Sequence, residues 1–128
     1  ERFYPVPVWV RAMSGTFERR EWEDPRRVET AHEGIERRVL ACSDELLLVH
    51  YTVRADAVFP EHEHERTHQG VYVIDGSVEL FGDHSATLQA GDTFVIGPGE
   101  RHGIRGVATE THLIDAFTPP IERYVAES

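Results

Sequence analysis

Residues 60–76 read PEHEHERTHQGVYVIDG and concentrate side chains that bind metal ions. His62 and His64 stand two residues apart. Side chains on an extended strand alternate between its two faces, so both imidazoles are expected to point the same way and reach one ion. Gln69 offers an amide oxygen as a third ligand, and His68, one residue earlier, is the alternative. The segment therefore predicts most of a metal site built on a strand.

A second segment, residues 91–102, reads GDTFVIGPGERH and supplies the fourth ligand. Its Pro98-Gly99 pair predicts a turn that places His102 at the start of a new strand. Three imidazoles and one amide oxygen are then expected to converge on one divalent ion. Such nitrogen and oxygen ligands suit zinc, nickel, iron, cobalt and manganese alike. The predicted ligands are His62, His64, Gln69 and His102.

From residue 35 onward, short segments rich in β-branched and apolar residues alternate with turn signals about 8–12 residues apart, which is typical of an all-β sandwich or barrel. Asp75-Gly76 between two such segments predicts a tight hairpin. We assign residues 35–128 to this barrel. The predicted strands are 37–42, 45–54, 57–64, 71–74, 77–81, 86–89, 93–96, 103–107 and 109–117.

Residues 1–34 carry a heavy aromatic load without a clean helical or strand period. Aromatic side chains of this size bury a large apolar area and are not expected to stay in water. We therefore expect an N-terminal arm with one or two edge strands that packs on the barrel or on a second subunit, and we expect a homodimer. The aromatic residues are Phe3, Tyr4, Trp9, Phe17 and Trp22.

The charge balance restricts the partners. The chain has 13 basic residues, all of them arginine, against 23 acidic ones, for a net charge of −10. This charge repels nucleic acid and anionic membranes, so a small-molecule substrate is the expected partner. The absence of lysine excludes Schiff-base chemistry. Cys42 is the single cysteine and no apolar run is long enough for a membrane span, which together favour a cytoplasmic protein.

The two spaced motifs resemble the paired motifs of small, single-domain, metal-dependent cupins, over a region from about Arg37 to Tyr124. The resemblance implies a jelly-roll β-barrel or sandwich. The third ligand of that family is usually glutamate, whereas Gln69 occupies the matching position here.

Within the cupins, the chain is similar to the pectin-degradation cupins, which open unsaturated galacturonate to a linear keto sugar. The shared features are a strand like residues 37–40 (RRVL), the glutamine, and a tail like residues 115–120 (DAFTPP). The resemblance implies that Asp115 and Phe117 lie in the cavity. The family binds the substrate carboxylate with an arginine at the position of Ile121, and Arg123 is the nearest substitute.

Four neutral ligands would leave an ion its full double positive charge, which favours Lewis-acid chemistry over oxygen activation. We therefore predict a metal-dependent enzyme that isomerises, ring-opens or cyclises a small carbonyl or enol substrate, with Asp115 moving the proton. One alternative is an aromatic polyketide cyclase, whose apolar substrate would suit Ile121. The others are a cupin dioxygenase and a non-catalytic cupin that binds a small molecule.

The remaining aromatic and histidine residues are given structural interpretations. Tyr51 and Tyr72 are candidates either for the cavity lining or for core and rim packing. The other histidines are interpreted as surface or interface residues. They are His32, His50, His84 and His112.

Overall fold

The structure is a computed structural model, and it describes residues 17–125. Ten strands and one short terminal helix follow one another along this part of the chain. Their bounds are β1 Arg27–His32, β2 Ile35–Cys42, β3 Leu47–Arg54, β4 Val58–His62, β5 His68–Asp75, β6 Ser77–Gly82, β7 Ala86–Gln89, β8 Thr93–Ile96, β9 His102–Gly106, β10 Glu110–Thr118 and α1 Glu122–Val125.

The strands form two antiparallel sheets that face each other. The larger sheet has the order β1-β2-β3-β10-β5-β8, and the smaller one has the order β4-β9-β6-β7. The all-β prediction is confirmed, and the predicted strands coincide with β2 to β10 apart from shifts of a few residues at their ends. Within residues 17–125 no helix is long and apolar enough to span a membrane.

The core lies between the sheets and follows from alternation along the strands. In β3 the side chains of Leu47, Val49, Tyr51 and Val53 are all buried. A buried Val or Leu side chain stabilises a fold by about 1.5–3 kcal/mol, and both sheets contribute such residues to one cluster. The fold therefore has a hydrophobic core of its own, independent of any ion.

The first described strand belongs to the larger sheet. β1 pairs with β2 and is one of the two edge strands of this sheet. Trp22, which precedes β1, places its ring edge-on against His50, with 4.8 Å between ring centroids. His50 is only 4% exposed, so its interpretation as a surface or interface residue was wrong. The predicted packing of Phe3, Tyr4 and Trp9 lies outside the described residues.

Tyr51 and Tyr72 take opposite sides of the larger sheet. Tyr51 is buried and lines a cavity, whereas Tyr72 is 49% exposed. Side-chain alternation explains the difference, since Val71 and Val73, the neighbours of Tyr72, are the inward residues of β5.

Candidate metal centre

The strand ends bring the predicted ligands together. His62 is the last residue of β4 and pairs in register with His102, the first residue of β9. Gln69 is the second residue of β5 and is buried on its inner face. We had predicted that His64 lies on the strand, but it lies two residues beyond the end of β4. The backbone N–H of Gly99 donates to the carbonyl oxygen of His64 at 2.8 Å and so links residues 60–76 to residues 91–102.

This arrangement requires the turn that was predicted before His102. Gly99 has a φ of 81°, in the left-handed region that glycine adopts without a steric penalty. The turn ends as β9 begins, as the sequence indicated. Residues 60–76 and 91–102 therefore meet through a backbone contact at this turn.

The possible ligand atoms of the four side chains lie close enough together to bind one ion. One ring nitrogen each from His62, His64 and His102 lies within 4.8 Å of the others. Gln69 Oε1 lies 3.0 Å from His64 Nε2 and 3.1 Å from His102 Nε2. His68 is exposed at the start of β5 and does not join this cluster.

Hydrogen bonds to the backbone set the tautomers of two imidazoles. His62 Nδ1 lies 2.8 Å from the carbonyl oxygen of Pro60, and His102 Nδ1 lies 2.9 Å from that of Glu100. A carbonyl oxygen only accepts, so Nδ1 carries the hydrogen in both rings. Each Nε2 then presents a lone pair, the state that a metal ligand requires.

The Gln69 amide is oriented in a complementary way. Its Nε2 donates to Asp115 Oδ2 at 2.8 Å, which turns Oε1 toward the histidines. In the neutral tautomer, His102 Nε2 and Gln69 Oε1 face each other with lone pairs and no hydrogen between them. Two such acceptors at 3.1 Å repel unless a cation lies beside both. The donor set therefore fits a divalent metal ion.

Burial favours the neutral form of two of the histidines, His62 and His64. It lowers the pKa of His62 and lowers the pKa of His64 to about 4, with the neighbouring histidines adding to the effect. Imidazoles that stay neutral at physiological pH do not have to lose a proton before they bind an ion.

Asp115 lies directly beside the ligands, on the inner face of β10. It is 3% exposed, and burial raises its pKa to about 7. Gln69 occupies Oδ2, while Oδ1 has no hydrogen-bond partner among the described residues. A carboxyl group with this pKa and a free oxygen can accept or donate a proton near neutral pH.

A cavity opens next to the histidines and Asp115. It contains about 420 Å³ of empty space, part of it open to solvent, and Phe117 and Tyr124 contribute to its wall. Sequence reasoning did not predict that Tyr124 lines the cavity. The only indication in the sequence was that an aromatic residue follows soon after the double proline.

Two tail residues lie elsewhere than the resemblance implied. Ile121 belongs to the hydrophobic core cluster and does not line the cavity, so it does not make the cavity apolar. Arg123 is exposed, with its guanidinium carbon 4.9 Å from the centre of the Tyr124 ring. It also does not line the cavity, but its charge contributes to lowering the pKa of His62 and His64.

Comparison with known proteins assigns the family. The family model for the cupin domain (Cupin_2) matches residues 49–116, which include all four predicted ligands. The chain belongs to the cupin family. A pectin degradation protein, KdgF of Dickeya dadantii (strain 3937), is 30% identical over 98 residues, covering 76% of this cupin and 89% of the relative.

Solved structures show the same fold. KdgF from Halomonas sp. has a TM-score of 0.73 at 28% identity and covers 77% of this cupin and 90% of that chain. An RmlC-like cupin from Shewanella frigidimarina has a TM-score of 0.78 at 30% identity, covering 88% and 100%. The polyketide cyclase RemF from Streptomyces resistomycificus has a TM-score of 0.68 at 20% identity, covering 82% and 81%, which supports the shared fold alone.

Proposed function

We propose that this cupin is a metal-dependent enzyme that opens the ring of an unsaturated sugar acid. The observation that carries the proposal is the contact of Gln69 with both the histidine cluster and Asp115, because it holds a proton-transfer group beside the ion-binding residues. The similarity to two KdgF proteins supports the substrate class.

Four side chains of the cupin would hold the ion: His62, His64, His102 and Gln69. All four are neutral ligands, so a bound divalent ion keeps its double positive charge and supplies Lewis-acid polarisation of a substrate oxygen. The chain's other residues bind and orient the substrate and move the proton.

Opening of unsaturated galacturonate to a linear keto sugar is an isomerisation. The bond between the anomeric carbon and the ring oxygen breaks, and the anomeric hydroxyl loses its proton to become an aldehyde. The bonding electrons pass to the ring oxygen. A proton then adds to the carbon at the far end of the ring double bond, which leaves a ketone. One group that accepts a proton and returns it is sufficient for this sequence.

Asp115 is suited to that task. Its free Oδ1 takes the proton of the anomeric hydroxyl, and its pKa of about 7 lets the resulting acid give the proton back to carbon. Phe117, buried beside His64 with 6.1 Å between ring centroids, closes this part of the cavity against water. Arg123 is exposed, with its guanidinium carbon 4.9 Å from the centre of the Tyr124 ring, and it is the group we assign to the substrate carboxylate.

Aromatic polyketide cyclisation is the second candidate function. The cavity favours it in one respect, because apolar side chains such as Phe59, Phe94 and Leu113 form much of the wall. An apolar polyketone would bury more apolar surface there than a sugar acid does.

Turnover separates these functions. Metal-loaded protein is mixed with unsaturated galacturonate, and loss of the ring double bond is followed by ultraviolet absorbance and product formation by NMR. We expect a linear keto sugar at the same rate with and without oxygen, and none from His102→Ala. Turnover of an aromatic polyketone instead would favour the cyclase. A requirement for oxygen would favour a dioxygenase, and binding without turnover would favour a non-catalytic cupin.

Two further expectations accompany this proposal. We propose a homodimer, which light scattering of the purified protein checks. We also propose a cytoplasmic location, in which the buried thiol of Cys42 stays reduced.

A further inference from the structure

A line of polar side chains crosses three neighbouring strands and ends at the cavity. Glu29 on β1 pairs in register with Arg37 on β2, which pairs with Tyr51 on β3. Arg37 NH1 donates to Glu29 Oε1 at 2.8 Å, and Arg37 Nε donates to the Tyr51 hydroxyl oxygen at 2.9 Å. Tyr51 lines the cavity together with Asp115 and three of the proposed ligands, His62, Gln69 and His102.

The direction of these bonds determines where the Tyr51 hydrogen points. A guanidinium has only donors, so the Tyr51 oxygen accepts from Arg37 and cannot donate to it. Among the hydrogen bonds of the described residues, none has Tyr51 as the donor. The hydroxyl hydrogen is therefore available to a group in the cavity.

Packing holds Arg37 in this orientation. It is 7% exposed, although it lies between the apolar inward residues Ile35 and Val39. Its guanidinium carbon is 3.7 Å from the centre of the Tyr124 ring, a cation–π distance. A buried charge needs a partner, and Glu29 supplies the opposite charge.

The position of Tyr51 relative to Asp115 suits a joint role. Leu113 pairs with Tyr51 and Asp115 pairs with Val49, so Tyr51 and Asp115 are diagonal neighbours on the same face of the sheet. Burial is the main cause that raises the pKa of Tyr51 well above its usual value, and the neighbouring Tyr124 adds to the effect. The Tyr51 hydroxyl therefore stays protonated. Glu29 and Arg37 precede the matched cupin region, residues 49–116.

We propose that Tyr51 is a second catalytic residue, whose hydroxyl donates a hydrogen bond to the substrate oxygen that gains negative charge, and that Arg37 and Glu29 are positioning residues. This inference rests on the proposed ring-opening function. The charged oxygen there is the ring oxygen that receives the bonding electrons. Tyr51 keeps its proton throughout and stabilises the charge as a preorganised donor, while Asp115 carries the proton.

The test compares Tyr51→Phe with Tyr72→Phe, the same substitution on the exposed face of the same sheet. With unsaturated galacturonate as the substrate, we expect Tyr51→Phe to lower kcat by roughly 10²–10³-fold, the loss typical of one such donor, with KM changed little. Metal content stays unchanged, and Tyr72→Phe behaves as the wild type. A merely structural role would lower the melting temperature and leave kcat of the folded fraction intact.

A double-variant cycle tests the positioning role. Arg37→Met should lower kcat in the wild type and change it little when Tyr51 is already phenylalanine, because Arg37 acts through that hydroxyl. Arg37→Lys, which keeps a donor, should restore part of kcat. If Arg37→Met does not fold, Glu29→Gln is combined with Tyr51→Phe in the same way.

The outcomes separate the two levels of the proposal. An active wild type with an equally active Tyr51→Phe overturns the role of Tyr51 and leaves the ring-opening function standing. A metal-loaded wild type that does not turn over unsaturated galacturonate overturns the proposed function and this inference together.

Discussion

The side-chain amide of Gln69 donates to Asp115 Oδ2 at 2.8 Å while its oxygen faces His64 and His102. One amide thus joins Asp115 to the histidine cluster. A glutamate at this position has no hydrogen to donate, and it would place a second carboxylate against Asp115. A glutamine, unlike an ionised glutamate, therefore donates to Asp115 while its oxygen faces the histidines.

Gln69→Glu should strengthen metal binding and weaken turnover. The added negative charge holds a cation more tightly but reduces its Lewis acidity. It also repels the ionised form of Asp115. We expect turnover to fall about tenfold or more, which requires only ~1.4 kcal/mol of lost transition-state stabilisation. Metal titration and steady-state kinetics measure the two effects, with Gln89→Glu on the exposed face of β7 as the control. Affinity and turnover that rise together would contradict this explanation.

Asp115→Asn should leave metal content unchanged and lower turnover by roughly 10²-fold or more, the usual loss for a general acid or base. The new amide oxygen still accepts from Gln69, so the ligand keeps its orientation. Asp75→Asn, at an exposed aspartate in the β5–β6 turn region, is the matched control. Unchanged turnover in Asp115→Asn would make Asp115 a structural residue.

The strand pattern of the fold was predictable because apolar alternation and turn residues are local signals. The Gly76 turn is an example: its φ is 93°, and β5 ends and β6 begins on either side of it. The predicted hairpin was wrong, because β5 and β6 belong to different sheets and do not pair with each other. The placement of Trp22 over His50 was not predictable, since it joins residues far apart in sequence through a packing contact. The same contact explains why His50 is buried.

The convergence of His62, His64, Gln69 and His102 was predictable from their spacing, because two segments with fixed turns leave few geometries. Tyr51 had been a candidate for the cavity lining, but its contact with Arg37, and that of Arg37 with Tyr124, were not predictable, since these residues meet only when β2, β3 and the terminal helix pack. One signal was present in the sequence. Arg37 falls on the inward face of a strand between Ile35 and Val39, and a charge at such a position indicates a specific partner.

His50 should make the metal-free protein less stable in acid. Burial, the facing His112 on β10 and Arg38 on β2 lower its pKa from 6.5 to about 4. The unfolded chain therefore binds more protons than the folded one between these values, so stability falls as pH decreases through this window. His50→Gln should reduce the slope of unfolding free energy against pH there by at most about 1.4 kcal/mol per pH unit. Denaturant titrations at several pH values measure it, and equal slopes in both proteins would contradict the prediction.

The central claim is that His62, His64, Gln69 and His102 bind one divalent ion, and elemental analysis of reconstituted, desalted protein tests it most directly. We expect one ion per chain in the wild type and in His68→Ala, and loss of stoichiometric metal in His62→Ala and His102→Ala. Circular dichroism should show all four proteins folded, since the core does not depend on the ion. Full occupancy in His62→Ala or His102→Ala, or a metal-free His68→Ala, would contradict the assignment.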